Sequence, residues 1–283
     1  MKLASYIKNG DAAFGVVVGD GLVTLNGRLA RRVATLRDAI DAACYPEMAR
    51  IAAAEKPDLS VRDVTFLPLI PNPKKILCVG LNYRDHVAEL AGAKSAAEVP
   101  GIFVRFPGTL LGHGQAMQRP RASTMFDYEG ELAVIIGKPG RHIPVEQALE
   151  HVAGYTCFVD GSVRDFQKQS VAAGKNFWAS GPLGPWMLTA DEMPDPRKFV
   201  LTTRLNGVQV QHSGLDMLIH SIPECINYLS KVTPLEPGDV IATGTPAGVG
   251  HRRTPPLWLK AGDRLEVEIS GIGTLANPVI DEL

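Results

Sequence analysis

Two glutamates separated by a single residue, Glu129 and Glu131, precede an apolar run that ends at Ile136. Side chains two residues apart in a β-strand point to the same face, so these carboxylates are expected to project side by side. Asp127 would join them if the strand extends that far. Paired carboxylates repel each other and raise one another's pKa, and a divalent cation such as Mg²⁺ relieves that repulsion. The spacing therefore predicts a metal site, although a solvated strand face has the same pattern.

A third carboxylate, Asp160, ends the apolar run Tyr155–Val159 and precedes Gly161. A carboxylate at the end of a buried strand is poorly solvated and could complete an all-oxygen metal site. It could equally serve as a turn or helix cap. The sequence has no His-x-x-x-His pair and no cysteine cluster, which argues against a zinc site with nitrogen and sulfur ligands.

His86 and Glu89 are three residues apart in a stretch of helical character, Asn82–Leu90. Residues at this spacing touch on a helix. A carboxylate beside an imidazole fixes its tautomer and raises its basicity, which suits a general base that takes a proton from water. A surface ion pair on an exposed helix is the alternative interpretation.

Several further polar residues follow these carboxylates along the chain. Arg164 and Gln167 would share one face of a helical turn near the metal, where a guanidinium can bind a carboxylate or an enolate. Lys175 follows a glycine and lies beside aromatic residues, which is unusual for a solvated lysine. Arg105 and His113 could also face a pocket, and Arg105 is a further candidate for substrate binding. Each of these residues could instead be a surface charge.

A glycine-rich loop, Thr243–Gly250, follows a predicted strand. It is not a phosphate-binding P-loop, because no Gly-Lys-Ser/Thr follows, and Pro246 disfavours a dinucleotide-binding helix. Its N–H groups and hydroxyls could hold an oxyanion, or it could be a plain loop.

The elements that position these residues fall into two parts. Residues 1–70 are expected to form a small α/β domain, with a hairpin over Gly15–Leu25, helices within Arg32–Ala54 and a proline-rich linker at Leu67–Pro73. Residues 71–283 form the second domain, whose pattern favours an α+β, β-rich roll or barrel with helices packed outside. Its predicted strands are Ile76–Val79, Glu131–Ile136, Tyr155–Val159, Val200–Leu205, Val240–Ala242 and Leu265–Ile269, and its later helices are Ala148–Ala153 and Ser221–Lys231.

Composition limits the class of protein. The 283 residues carry a formal net charge of -1, so no basic surplus indicates nucleic-acid binding. No apolar run approaches the roughly 18 residues of a membrane span. Four scattered cysteines indicate reduced thiols, and the N-terminus lacks the apolar core of a signal peptide. These features lead us to expect a cytoplasmic enzyme or small-molecule binder that acts without nucleic acid or membrane.

Five motifs in fixed order, with a C-terminal segment from Leu265 onward, resemble the fumarylacetoacetate hydrolase family over about three quarters of the chain. The motifs are Cys78–Glu89, Asp127–Lys138, Val152–Gln167, Gly174–Trp186 and Ser221–Gly250.

The resemblance implies a β-roll catalytic domain of that family's type, preceded here by the small N-terminal domain, and commonly a homodimer. It implies Mg²⁺ or Mn²⁺ bound by three carboxylates, a catalytic His–Glu pair on a lid helix, a catalytic lysine, and substrate binding by an Arg, a Gln and a Gly-Thr-Pro threonine. In this sequence the matching residues are Glu129, Glu131 and Asp160 for the metal, His86 with Glu89, Arg164, Gln167, Lys175 and Thr245.

The activity implied is hydrolysis of a C–C bond in an acylpyruvate, such as maleylpyruvate or fumarylpyruvate, in aromatic catabolism. His86, oriented by Glu89, would deprotonate a water, and Lys175 would stabilise the pyruvate enolate that leaves. A decarboxylase or isomerase of an oxaloacetate-like or dienoic diacid would use the same site, and a non-catalytic 2-oxo-acid binder is a further alternative. Arg105 stands where many relatives have lysine, which would alter the far end of the pocket.

Overall fold

The computed structural model describes residues 1–89 and 98–283, with 24% of the chain in helices and 37% in strands. This mixture confirms the α+β prediction. Within the described residues the α-helices are α1 (Leu36–Asp41), α2 (Tyr45–Ala54), α3 (Arg84–Ala88), α4 (Arg164–Gln169), α5 (Val171–Lys175) and α6 (Ile222–Val232). The strands are β1 (Lys2–Lys8), β2 (Asp11–Val18), β3 (Gly21–Thr24), β4 (Leu59–Ser60), β5 (Thr65–Phe66), β6 (Ile76–Gly80), β7 (Gly101–Arg105), β8 (Leu110–Leu111), β9 (Met117–Arg119), β10 (Phe126–Asp127), β11 (Gly130–Ile136), β12 (Val152–Val159), β13 (Ser162–Val163), β14 (Gly181–Thr189), β15 (Val200–Leu205), β16 (Val208–Gly214), β17 (Val240–Ala242), β18 (Arg264–Ile269) and β19 (Gly273–Asp281).

The larger sheet runs in the order β4-β3-β2-β1-β14-β12-β11-β17-β6-β7. Along this order the pairs are antiparallel except for β17 and β6, which are parallel. Off this order, β5 pairs antiparallel with β1, and β8 pairs parallel with β14. β1 pairs with β14 through Lys2 and Leu188, so the first strand of the chain and the later strands belong to one sheet. The domain division at residue 70 stays a prediction.

A second sheet, in the order β16-β15-β18-β19-β9, packs against one face of the larger one. The central strand β11 explains the packing. Leu132 and Val134 face a core shared with the second sheet, whereas Ala133 and Ile135 face a core shared with α1 and α2. Both faces of β11 are therefore buried, which is why its sequence is an unbroken apolar run.

Most predicted elements of the β-roll are present, and one is wrong. The interval Ala148–Ala153 is not an α-helix: a 3-10 helix covers Val145–His151 and β12 begins at Val152. Its apolar spacing suits a helix, but Val152 pairs with Ile136 of β11, so the end of this segment belongs to the sheet. The predicted helix around His86 spans Arg84–Ala88, and its expected last residue, Leu90, lies outside the described residues.

The predicted N-terminal hairpin is formed by β2 and β3, whose pairing runs from Gly15 to Thr24 around the turn at Gly19 and Asp20. No helix among the described residues is long and apolar enough to cross a membrane.

Candidate metal and substrate site

Three carboxylates meet where two central strands of the larger sheet begin and end. Glu131 is on β11, Glu129 precedes that strand and Asp160 follows its antiparallel neighbour β12. The amide of Asp160 donates to the carbonyl of Glu129 at 2.8 Å, which fixes the two chain segments together. All three residues are buried, and their ligand atoms lie within 4.8 Å of one another. Glu129 does not lie on the strand as expected: it lies in the two-residue gap between β10 and β11, and only Glu131 is on β11.

The charges of the triad indicate why it suits a divalent cation. Burial, followed by the neighbouring Asp160 and Glu129, raises the pKa of Glu131 well above its usual value. Its carboxylate accepts one hydrogen bond, at 2.9 Å from the Gly244 amide. A divalent cation would relieve this repulsion, and an all-oxygen donor set is what Mg²⁺ and Mn²⁺ accept. The residues present therefore fit such a metal.

Lys175 partly compensates the other two carboxylates. Its ammonium donates to Glu129 at 2.6 Å and contacts Asp160, and the side chain is 2% exposed. Burial alone would raise the pKa of Glu129, but the charges of Lys175 and Arg164 lower it by more than burial raises it, so the pKa lies below its usual value. The same carboxylates raise the pKa of Lys175 despite its burial. The lysine that the sequence singled out therefore lies against the triad as an ammonium.

Arg105 does not line the cavity, contrary to the expectation that it binds substrate. Its guanidinium is buried and donates to Asp160 at 2.5 Å, to the Gly161 carbonyl at 3.0 Å and to Ser180 at 2.6 Å. The strand β7 ends at Arg105 and directs its side chain under the triad. His113 is also outside the cavity lining, since its Nδ1 accepts from the Ala276 amide at 3.1 Å.

The imidazole–carboxylate pair lies at the C-terminal end of α3, with His86 on the helix and Glu89 directly after it. Nδ1 of His86 lies 3.1 Å from Glu89, and His86 lines the same cavity as the triad. The other oxygen of Glu89 accepts from the Gly248 amide at 2.8 Å. At the start of the helix, Asn82 donates to the Thr243 carbonyl at 2.8 Å. The glycine-rich loop thus holds α3 at both ends, and an ionised Glu89 leaves the Nε2 atom of His86 as the proton acceptor.

Two side chains predicted from helical spacing lie together on α4. Arg164 contacts Asp127 at 2.8 Å and Glu129 at 2.7 Å, and its guanidinium donates to Gln167 at 2.8 Å. Burial opposes the charge of Arg164, but Glu129 and Asp127 raise its pKa above the usual value. Both Arg164 and Gln167 line the cavity, where a substrate carboxylate could reach them.

The glycine-rich loop is anchored by a residue that sequence reasoning missed. Gln211 on β16 donates to the Thr245 hydroxyl at 2.8 Å and accepts from the Gly130 amide at 2.9 Å. Thr245 itself donates to the Gly130 carbonyl at 2.8 Å and lines the cavity. At Gly244, φ is +101° and an added Cβ would lie 2.8 Å from that of Asn82, so this position requires glycine.

Three further cavity residues with a basic or imidazole side chain were not predicted as site residues: Lys168, His251 and Arg252. Lys168 is four residues after Arg164 and therefore shares its helical face, a signal that the sequence does contain. His251 and Arg252 directly follow the glycine-rich loop. His251 is bonded through Nδ1 to buried Asp127 at 3.1 Å, a contact between segments more than 120 residues apart.

Taken together, these groups line one cavity of about 700 Å³. Its buried part holds the carboxylates and Lys175, and His86 lies nearby. This arrangement brings together a divalent-metal triad, a base with its orienting carboxylate, and cations that can bind carboxylates or stabilise an enolate. Of the candidate site residues in the described chain, Arg105, His113 and Glu89 are absent from the lining, and Glu89 contacts His86 directly.

Known proteins resemble the chain in both sequence and fold. An oxaloacetate tautomerase from Bacillus subtilis is 42% identical over 224 residues, which cover 78% of this chain and 74% of the relative. A human mitochondrial oxaloacetate tautomerase is 39% identical over 235 residues, covering 82% and 74%. Among solved structures, a putative HpcE protein from Mycobacterium smegmatis matches with a TM-score of 0.87 at 35% identity, over all of both chains.

A maleylpyruvate hydrolase from Sphingobium sp. SYK-6, solved in complex with manganese(II) and pyruvate, matches with a TM-score of 0.84 at 27% identity over all of both chains. The family model described as "Fumarylacetoacetate (FAA) hydrolase C-terminal" matches residues 75–280. That match includes every predicted metal and catalytic residue. The chain is therefore an enzyme of the fumarylacetoacetate hydrolase family.

Proposed function

We propose that this enzyme interconverts the keto and enol forms of a 2-oxo dicarboxylic acid such as oxaloacetate, in a metal-dependent reaction. The observation that carries the proposal is the His86–Glu89 pair facing the same cavity as the carboxylate triad. Two relatives with about 40% identity over most of their length are oxaloacetate tautomerases. This similarity favours proton transfer over hydrolysis, which the sequence motifs alone had favoured.

The reaction needs a base, a means of stabilising negative charge on an oxygen, and a fixed substrate. The unprotonated Nε2 of His86 removes a proton from the carbon next to the 2-oxo group, and the electron pair of the broken C–H bond moves through to the 2-oxo oxygen. Lys175 stabilises the charge that develops there, and return of the proton to that oxygen gives the enol. Glu129, Glu131 and Asp160 would hold a divalent cation, which would supply Lewis-acid polarisation of a bound oxygen.

Hydrolysis of an acylpyruvate is the second candidate, supported by the likeness to the maleylpyruvate hydrolase solved with manganese and pyruvate. In that reaction His86 takes the proton from a water, and the hydroxide attacks the distal carbonyl. The C–C bond then breaks and leaves a pyruvate enolate, which Lys175 stabilises. Both candidates use the same base and the same charge stabilisation, so the substrate decides between them.

Purified protein is stripped of metal, reloaded with Mn²⁺ or Mg²⁺, and given the enol form of oxaloacetate. The decay of enol absorbance is compared with that produced by the same concentration of metal alone, since free metal ions also promote enolisation. His86→Gln tests the base, and Glu150→Gln, which changes an exposed carboxylate outside the cavity, is the matched control. Maleylpyruvate and fumarylpyruvate are assayed in parallel by mass spectrometry.

Accelerated enol decay that requires both metal and His86 supports the tautomerase. Release of pyruvate with a second acid, without accelerated enol decay, replaces it with the hydrolase. Release of CO₂ from oxaloacetate as the main product assigns a decarboxylase instead. Enol decay no faster than with metal alone overturns the proposed function.

A further inference from the structure

The outer part of the cavity carries positive charge that no carboxylate among the described residues neutralises. Lys168 and Arg252 line the cavity with exposed side chains. Across residues 1–89 and 98–283, no carboxylate forms a salt bridge with either of them. The inner cations differ, because Arg164 is paired with Asp127 and Lys175 with Glu129. Two cations that line one cavity, and have no salt-bridge partner in the part of the chain that the structure describes, can bind a ligand's anionic group.

His251 adds a fixed imidazole to these cations. Its Nδ1 lies 3.1 Å from Asp127, and its own amide and that of Gly250 donate to the same carboxylate at 3.1 and 2.7 Å. Asp127 is fully buried, so the ring cannot turn without losing a buried contact. No residue in the described part of the chain hydrogen-bonds to Nε2. The imidazole is therefore held with Nε2 available to the cavity, and it donates a hydrogen bond to an anionic ligand when the ring carries a proton on both nitrogens.

We propose that Lys168, His251 and Arg252 form a subsite for the second carboxylate of a dicarboxylic substrate. This rests on the proposed function, in that the 2-oxo acid end occupies the inner, triad end of the cavity. The difference in burial supports the assignment: Glu131 and Asp160 are 2% and 0% exposed, whereas Lys168 and Arg252 are exposed. A substrate with a charge at each end thus meets a metal triad inside and unpaired cations outside.

A different role for the outer cations would be long-range attraction of any anion. Such attraction accelerates association and weakens with salt, but it does not distinguish one carboxylate from two at the same site. A subsite that contacts the distal carboxylate discriminates between a diacid and its ester. The test therefore compares two ligands that share every atom except at the distal end.

The probes are malate and its 4-methyl monoester, neither of which can form an enol, so binding is measured without turnover. Calorimetric titration uses the Mn²⁺-loaded full chain at fixed ionic strength. We expect wild type to bind malate about tenfold or more tighter than the ester, as for a charge-assisted hydrogen bond. The double variant Lys168→Gln/Arg252→Gln should lose this preference while its affinity for the ester is unchanged.

Two further variants refine the test. His251→Asn keeps an N–H group for Asp127 but lacks Nε2, and should reduce the preference by about 2–10-fold. Lys198→Gln removes an exposed lysine outside the cavity and should keep the full preference. With oxaloacetate as substrate, the double variant should raise KM about tenfold or more with kcat little changed.

Equal affinity of wild type for malate and the ester overturns the subsite, as does an undiminished preference in the double variant. An equal loss of affinity for both ligands also overturns it, because that indicates general attraction. Failure of the proposed function is distinguishable. A retained preference for malate without oxaloacetate turnover rejects the tautomerase and leaves the subsite standing.

Discussion

Arg105 donates a hydrogen bond of 2.5 Å from Nη1 to Oδ1 of Asp160, whose other carboxylate oxygen contacts Lys175. One candidate metal ligand is therefore held between a buried guanidinium and a buried ammonium. Arg105 also donates to the Gly161 carbonyl and to Ser180, so its planar group spans the turn that follows β12. Residues behind a metal ligand of this kind set its orientation.

Replacement of Arg105 by methionine should weaken metal binding about 10-fold or more, because Asp160 loses the donor that orients it. Arg105→Lys retains the charge but not the planar fork, and should lose less affinity. Calorimetric titration of the metal-free variants with Mn²⁺ measures the effect, with circular dichroism as the check on folding. Wild-type affinity in folded Arg105→Met would show that Asp160 is oriented by other contacts.

Metal should stabilise the folded protein, and Glu131 should be required for that effect. At a free metal concentration of 100 times Kd, binding adds about 2.7 kcal/mol, which corresponds to a rise in Tm of roughly 5 °C. Glu131→Gln should lose most of the rise. The same variant should melt no lower than wild type without metal, because it removes a carboxylate that burial and its neighbours disfavour. An undiminished metal-induced shift in Glu131→Gln would exclude this residue as a ligand.

His86→Gln should lower kcat about 10²–10⁴-fold, the usual contribution of a general base. The metal-induced rise in Tm should persist, because His86 is not part of the triad. Glu89→Gln keeps a side chain that can bond to the imidazole but removes the charge that orients it, and should cost less. Stopped-flow measurement of enol decay gives kcat, and thermal melts report the metal. Wild-type kcat in His86→Gln would assign the base elsewhere.

Asp127→Asn should destabilise the fold and also impair substrate binding. Asp127 accepts from Arg164 at 2.8 Å and from the amides of Tyr128, Gly250 and His251. Asparagine has one acceptor oxygen, and its NH₂ group only donates, so it cannot accept all of these bonds. Loss of one partner of a buried charged pair costs about 3 kcal/mol. Urea unfolding measures that loss. KM should rise more than kcat falls, since Arg164 and His251 would both lose their orientation, and an unchanged KM would contradict this role.

The sequence was most informative where one short segment carries the pattern. Glu129, Glu131 and Asp160 could be predicted because each adjoins an apolar strand, and those strands are neighbours in the sheet. His86 and Glu89 lie on a single helical turn, so their contact follows from their spacing. The helix predicted at Ala148–Ala153 was wrong, because its apolar spacing fits both a helix and the start of a strand. Only the pairing with β11 decides between them.

Residues whose role depends on distant partners could not be found in this way. Gln211 reaches Gly130 and Thr245 from the second sheet, and His251 meets Asp127 across 124 positions of the chain. Arg105 was expected at the far end of the pocket, because it stands where many relatives have lysine. Its burial under Asp160 follows from the path of β7 at the edge of the sheet, which local sequence does not specify.

His113 should make the stability of the fold depend on pH just below neutrality. Its ring packs edge-on against Phe66, at 5.4 Å between centroids, and burial followed by Arg264 lowers its pKa from the usual 6.5. Below that value the unfolded chain binds a proton that the folded chain does not, so the free energy of unfolding falls as pH falls, until the lowered pKa is passed.

His113→Asn can still accept from the Ala276 amide but does not titrate. Urea unfolding at pH 7.5 and 5.5 should therefore show a smaller loss of stability in this variant than in wild type, whereas His142→Asn, which removes an exposed imidazole, should keep the wild-type loss. Identical losses in His113→Asn and wild type would mean that the proton is taken up elsewhere.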